Sequence, residues 1–140
     1  MIIIYAQGTN TSNKQALSWF KMRGIDVHEE KMYKLSRESL LHILSLTEQG
    51  FSEILKHRAG EGTLLKNKLD AISSLSFNES VDFIVKNPEV LRSPIIFQEN
   101  KLLVGYNSEE IRKFMPKKYR KVAVKASEQS KKSDKKGKEV

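Results

Sequence analysis

The three histidines, His28, His42 and His57, are the side chains best suited to bind a metal ion or to transfer a proton near neutral pH. They share no metal-ligand spacing, and the chain contains no cysteine that could complete a site with them. The lack of cysteine also excludes disulfides, thiol nucleophiles and thiol redox sensing. We therefore predict no metal site and no cofactor, and we interpret the histidines as surface or hydrogen-bonded residues.

The other polar residues give no catalytic constellation of nucleophile, oriented base and charge-stabilising group. The acidic pairs Glu29–Glu30 and Glu109–Glu110 fit a strand edge and a helix start. The segment 8–13 could turn backbone N–H groups toward an anion, as the N-termini of helices do. The sequence predicts a protein that is not an enzyme.

The elements that position these residues begin with a strand, a helix and a second strand. The apolar, β-branched residues 2–5 predict a buried strand. Helical spacing over residues 13–23 predicts a helix that Asn10 or Ser12 could cap. A second strand is predicted over residues 25–30. Such a unit has a right-handed crossover and places its two strands parallel.

The middle of the chain, residues 34–91, is predicted to be helical. Gly50 stands where the C-cap of the first of these helices belongs. Ser76 and Glu79 have the spacing of a capping box and predict the start of another helix, which Pro88 ends.

Two short strands and a last helix complete the predicted order. The strands cover residues 95–97 and 102–104 and are joined by a four-residue turn over 98–101. Asn107 opens the last helix and Pro116 marks its end. This order predicts an α/β fold in which helices face a mixed four-stranded sheet.

The formal charge of +8 is concentrated at the C-terminal end. Residues 1–116 carry 15 Lys and Arg against 14 Asp and Glu, whereas residues 117–140 carry 10 against 3. We predict one folded domain over residues 1–122 and a disordered basic tail over 123–140. The tail could attract phosphates without reading sequence, or it could be a solubilising or protease-facing segment.

The chain has no apolar run near the roughly 18 residues that a membrane span requires. Residues 1–5 are too short for a signal peptide and lack its basic start. We therefore predict a cytoplasmic protein without membrane contact, which is a monomer when unbound.

Several short stretches, taken in register, resemble the Spx and arsenate-reductase (ArsC) family, and the local matches favour the Spx branch. They span residues 1 to about 122 and include Tyr5 in the first strand, Thr11-Ser12, Thr47-Glu48-Gln49-Gly50, Arg58, Asn87-Pro88, Leu91-Arg92-Ser93-Pro94-Ile95-Ile96 and the run over 104–116. The resemblance implies a thioredoxin-like fold with a helical insertion between the second and third strands. It also places Pro94 at the cis-proline of that fold.

Proteins of the Spx branch are transcription regulators that bind the C-terminal domain of the RNA polymerase alpha subunit. The resemblance implies that Gly50, Tyr5 and Glu48 belong to the polymerase-contacting surface, and that Arg58 acts in activation close to DNA. Gly50 could also be an ordinary helix-ending glycine, and Arg58 a solvated surface residue. Promoter DNA would be reached only indirectly, or through basic residues and the tail, and a protease adaptor is a further possible partner.

The chain departs from the family where the redox-sensing members carry Cys-x-x-Cys, because those two positions are Asn10 and Asn13. A carboxamide is neither a nucleophile nor an electron donor. Ser93 replaces the arginine that usually precedes the proline, so position 93 supplies no positive charge opposite the helix start. The resemblance, with these departures, predicts a redox-insensitive Spx-like regulator. The alternative is a degenerate family member that serves as an interaction module for a partner other than polymerase.

Overall fold

The computed structural model describes residues 1–116 of the 140-residue chain. In chain order the strands and α-helices are β1 (Ile2–Ala6), α1 (Thr11–Met22), β2 (Val27–Lys31), α2 (Arg37–Ser45), α3 (Phe51–Ile54), α4 (Leu64–Ile72), α5 (Phe77–Lys86), β3 (Ile95–Gln98) and β4 (Lys101–Val104). Short 3-10 helices occupy Met32–Lys34, Pro88–Val90 and Glu110–Phe114. The predicted domain end at residue 122 and the predicted tail over 123–140 lie outside the described residues.

The four strands form one mixed sheet in the order β2-β1-β3-β4. β1 runs parallel to β2 and antiparallel to β3, and β3 runs antiparallel to β4. The two central strands carry apolar side chains on both faces, as strands covered on both sides do. The predicted sheet and the helical insertion between the second and third strands are confirmed.

Side chains of the central strands alternate between two hydrophobic clusters, one on each face of the sheet. Ile4 and Ile96 pack on one face with α1 and the last 3-10 helix, whereas Ile95 and Phe97 pack on the other with the helical insertion. Trp19 of α1 is part of the first cluster, where its ring meets the ring of Phe20 edge to face at 5.1 Å. The sheet is therefore the middle layer of three.

Three predicted boundaries were wrong for local reasons. β2 starts at Val27, because the N–H of Ile25 still donates to Phe20 O at 3.0 Å at the end of α1. Gln98 pairs with Lys101 across the hairpin, which leaves a two-residue turn instead of four. The last helix is a short 3-10 helix over Glu110–Phe114. Met115 must be extended because it precedes Pro116, so the helix has room for little more than one turn.

Gly50 is not the C-cap of α2, so that prediction was wrong as well. α2 ends at Ser45, and Gly50 instead precedes α3 with φ 72° and ψ −136°. The capping box of Ser76 and Glu79 at the start of α5 is confirmed.

One ion pair fastens the helical insertion to the chain segment before β3. Lys68 on α4 donates to the Glu89 carboxylate, which lies in the 3-10 helix Pro88–Val90. This hydrogen bond lowers the pKa of the Glu89 carboxyl below its usual value, against the opposing effect of desolvation.

Among the described residues, no helix is both long and apolar enough to cross a bilayer.

Candidate functional site

The first candidate region lies where β1 ends, α1 begins and the loop before β3 comes close to both. The peptide bond between Ser93 and Pro94 is cis, in agreement with the prediction. The N–H of Gln7, just after β1, donates to Ser93 Oγ at 2.9 Å. The residues at positions 10, 13 and 93, which the sequence singled out, are therefore brought together.

Asn13 is the centre of a closed hydrogen-bond network and is only 4% exposed. Its Nδ2 donates to Gln7 O at 3.0 Å and to Gly8 O at 3.3 Å, and its Oδ1 accepts from Ser93 Oγ at 2.9 Å. Both the donor and the acceptor side of the buried amide are thus satisfied, as a buried polar group requires. The network joins β1, α1 and the cis-proline loop without any titratable group.

Asn10 has a separate role. It is exposed and is the N-cap of α1, where its Oδ1 accepts from the N–H of Asn13 at 2.7 Å. Asn10, at the position of the first cysteine in the pattern described above, therefore serves as an ordinary helix cap. The Ser93 hydroxyl, which could otherwise be considered a nucleophile, donates to an amide oxygen and has no base as its partner.

We expect the two asparagines to differ in their contribution to the free energy of unfolding. Asn13→Ala should cost about 2–4 kcal/mol, because it leaves buried carbonyl and hydroxyl groups without partners. Asn10→Ala should cost about 1 kcal/mol, the usual effect of losing an exposed N-cap. Urea unfolding of both variants measures the difference, and equal losses would contradict the structural role given to Asn13.

The structure adds two cations to this region that the sequence did not reveal. A cleft of about 380 Å³ beside Asn10 and Ser93 is lined by Lys56 and Arg92. The two come together because the chain around Leu55 pairs with the chain around Leu91 in an isolated antiparallel bridge. Arg92, adjacent in sequence, therefore supplies positive charge that Ser93 lacks. The approach of Lys56 to it follows only from the contact between these distant segments.

The second candidate region is the turn over 47–50, whose backbone N–H groups are bound by nearby side chains. The Glu53 carboxylate accepts from the N–H groups of Glu48 and Gln49, and Thr47 Oγ1 accepts from the N–H of Gly50 at 3.0 Å. A Cβ atom added at Gly50 would meet no atom within 4 Å, so this backbone faces open space. Glu48 is exposed on the same turn. The turn therefore has a hydrogen-bonded conformation and, at Gly50, no side chain between its backbone and a partner.

Tyr5 does not belong to this exposed surface, so its predicted place on the polymerase-contacting surface is corrected. It is 7% exposed and its ring stacks on that of Phe97, with the centroids 6.1 Å apart. The reason is its position on a central strand, whose two faces are both covered. Tyr5 supports the core and is not available as a contact.

Arg58 is exposed and follows the short bridge at Leu55 without belonging to a helix. Within residues 1–116 its guanidinium makes no hydrogen bond or ion pair, so the group is available to a partner. It lies two residues beyond Lys56, which lines the cationic cleft.

The histidines remain apart from one another. His28 pairs with Glu30 at 3.2 Å, His57 contacts Ser52 O at 2.7 Å, and the ring of His42 lies 5.6 Å from that of Phe97. In the part of the chain that the structure describes, no three His, Asp or Glu side chains form a group that could hold a metal ion.

A mixed four-stranded sheet, with a cis-proline loop facing the start of α1 and helices inserted before β3, defines an α/β protein of the thioredoxin-like class. The family model described as the ArsC family matches residues 5–114. The chain belongs to the Spx/ArsC family.

Relatives with high coverage come from the Spx branch. The chain is 40% identical over 122 residues to the global transcriptional regulator Spx of Lactiplantibacillus plantarum, covering 86% of this chain and 90% of that protein. It is 36% identical over 122 residues to the regulator of the same name from Listeria innocua, covering 86% and 91%. An arsenate reductase from Vibrio cholerae shares the fold with a TM-score of 0.57 and 17% identity, covering 80% of this chain and 92% of that one.

Proposed function

We propose that this protein is a transcription regulator of the Spx type, which binds the C-terminal domain of the RNA polymerase alpha subunit and alters promoter use. The observation that carries the proposal is the match to proteins named as global transcriptional regulators over 86% of the chain at up to 40% identity. The family model, which matches residues 5–114, extends across both candidate regions.

The turn over 47–50 is the proposed contact with the alpha domain. Gly50 is half-buried, but a Cβ atom there would meet no atom within 4 Å. The hydrogen bonds that Thr47 Oγ1 and the Glu53 carboxylate accept from the turn's N–H groups fix its conformation before any partner arrives. A rigid contact segment loses little conformational entropy on binding. The lack of a side chain at Gly50 permits a close approach between two backbones.

The proposed regulator does not respond to thiol oxidation. The sequence contains no cysteine, and the amide of Asn13 with the hydroxyl of Ser93 occupies the place of the family's sulfur chemistry. Neither group exchanges electrons with a disulfide. The activity would then follow the amount of protein in the cell.

We further propose that the protein is not an enzyme, although arsenate reductases share its fold. Thiol-dependent arsenate reduction needs a sulfur nucleophile, which this chain lacks. Incubation with arsenate and either glutathione or thioredoxin should give no turnover, and any turnover that depends on the protein would overturn this part of the proposal.

The direct test is calorimetric titration of the full chain with the purified alpha C-terminal domain. We expect binding of one domain per chain, with the same affinity in reductant and in oxidant. A chain that does not bind the domain in either condition would refute the proposal. Stoichiometric capture of a different protein would then favour the alternative of an interaction module.

Arg58 provides a further prediction, because within residues 1–116 its side chain is exposed and unpaired. Arg58→Ala should weaken the complex of regulator, polymerase and promoter DNA severalfold, since a lost phosphate or base contact is of that size. Its affinity for the isolated alpha domain should stay within about twofold of the parent. Arg112→Ala, at another exposed arginine, is the matched control. Equal effects of both substitutions on the promoter complex would remove the special role of Arg58.

A further inference from the structure

Helix α3 consists of only four residues, Phe51–Ile54. A single helical turn is unfavourable by itself, because it fixes several residues for very few internal hydrogen bonds. Its last carbonyl groups also have no partners within the helix. Contacts from outside must therefore hold α3 in place.

Arg92 supplies partners for the carbonyl groups at the end of α3. Its backbone N–H donates to Ile54 O at 2.8 Å, and its guanidinium Nη1 donates to Glu53 O at 3.2 Å. A positive charge is also favourable at the C-terminus of a helix. The N–H of Lys56, just beyond the helix, donates to Val90 O at 2.9 Å. Of these three bonds, only that of the guanidinium involves a side chain.

Glu53 transmits this support to the turn over 47–50. Its main-chain oxygen accepts from Arg92, while its carboxylate accepts from the N–H groups of Glu48 and Gln49. A shift of α3 would move the carboxylate away from both N–H groups. The conformation of the turn therefore depends on Arg92, which lies 39 positions beyond Glu53 in the chain.

The Arg92 guanidinium fits into a narrow space beside Gly105. A Cβ atom added at Gly105 would lie 3.2 Å from Arg92 Nη2, closer than an ordinary van der Waals contact. The N–H of Gly105 donates to Pro94 O at 2.7 Å, which fixes this backbone near Arg92. Arg92 lines both the cleft that contains Lys56 and the cleft that contains Glu48. It thus joins the first candidate region to the second.

We infer that Arg92 is the positioning residue of the proposed polymerase contact. Its guanidinium, placed by Gly105, holds Glu53 O and thereby keeps the Glu53 carboxylate on the N–H groups of the turn. Arg92 acts without touching the alpha domain, because a turn that is already ordered loses less conformational entropy on binding. The inference rests on the proposed function for its partner, whereas the positioning itself is a property of the free protein.

Amide hydrogen exchange in the free protein tests the positioning. Arg92→Met keeps a long side chain and removes the guanidinium donors, so the N–H groups of Glu48 and Gln49 should exchange about tenfold faster. Arg92→Lys retains a charged donor and should restore most of the protection. Ser76→Ala, which loses stability at the cap of α5 instead, is the matched control and should leave both exchange rates unchanged.

Gly105→Ala disturbs the same contact without removing a charge. The added methyl group should displace the guanidinium and speed exchange at Glu48 and Gln49 severalfold. Gly24→Ala is its control, because Gly24 also has a positive φ, of 65°, but no atom lies within 4 Å of an added Cβ. Equal exchange rates in the two alanine variants would overturn the role given to Gly105.

Calorimetric titration with the alpha C-terminal domain tests the consequence for binding. Arg92→Met should raise the Kd about five- to tenfold, because a mobile turn must be ordered when the partner binds. Lys56→Met removes a positive charge from the same cleft but keeps the backbone bond of Lys56 to Val90. Its Kd should stay within about twofold of the parent value.

The outcomes separate this inference from the proposed function. Parent-like exchange at Glu48 and Gln49 in Arg92→Met would overturn the inference and leave the proposed function untouched. Faster exchange with an unchanged Kd would overturn the link between positioning and binding. If the parent does not bind the alpha domain, the proposed function is wrong, and the exchange rates still decide whether Arg92 fixes the turn.

Discussion

Gly50→Arg is expected to raise the Kd for the alpha C-terminal domain about a hundredfold or more, the range of a hot-spot loss. The side chain would project from backbone that now faces open space, directly into the proposed contact. Because no atom lies within 4 Å of the added Cβ, the fold itself should lose only the cost of backbone strain at φ 72°, about 1–3 kcal/mol.

The matched control for this variant is Gly62→Arg. Gly62 also has a positive φ, of 73°, and open space around the added Cβ, but it lies in the loop before α4. Comparable strain and charge are thus introduced away from the proposed contact. Calorimetric titration of both variants measures the effect, and parent-like binding by Gly50→Arg would show that the interface lies elsewhere.

The second large effect is a gain of redox response in the double variant Asn10→Cys, Asn13→Cys. Two thiols three residues apart at the start of α1 can close a disulfide in oxidant. The helix N-terminus, with Lys56 and Arg92 lining the same cleft, should bring the thiol pKa about one unit or more below its usual value near 8.5. Titration of free thiols should find about two per chain in reductant and none in oxidant.

Unfolding measurements test the consequence for stability. The reduced double variant should unfold at a lower urea concentration than the parent, since it loses the hydrogen bonds of Asn13. Oxidant should raise the midpoint of the variant and leave that of the parent unchanged. The variant Asn10→Ser, Asn13→Ser, which has the same small size but no sulfur, is the control. A parent protein whose midpoint or affinity shifts in oxidant would contradict the proposed redox insensitivity.

Local patterns in the sequence predicted much of the fold. Residues that interact within one turn were predictable: Ser76 and Glu79 form the expected capping box, and Asn10, one of the two candidates, caps α1. The continuous apolar run over 2–5 predicted a buried strand, and Tyr5 is buried within it. Its assignment to a contact surface came from the resemblance and not from the local pattern.

The candidate site was less predictable, because it depends on contacts between distant segments. Gly50 was assigned to the wrong end of a helix because the carboxylate of Glu53, on the following helix, shapes the turn before it. Arg92 and Lys56 meet only through the bridge of Leu55 with Leu91.

The closed network around Asn13 also sets a condition on any dithiol built at this site. Asn13→Cys alone would break the amide's bonds to Gln7 and Ser93 without a second sulfur to react with it. Asn10→Cys alone would give a thiol with no resolving partner. A working dithiol at this helix start therefore requires both substitutions together, and the first of them to be made brings no disulfide in return.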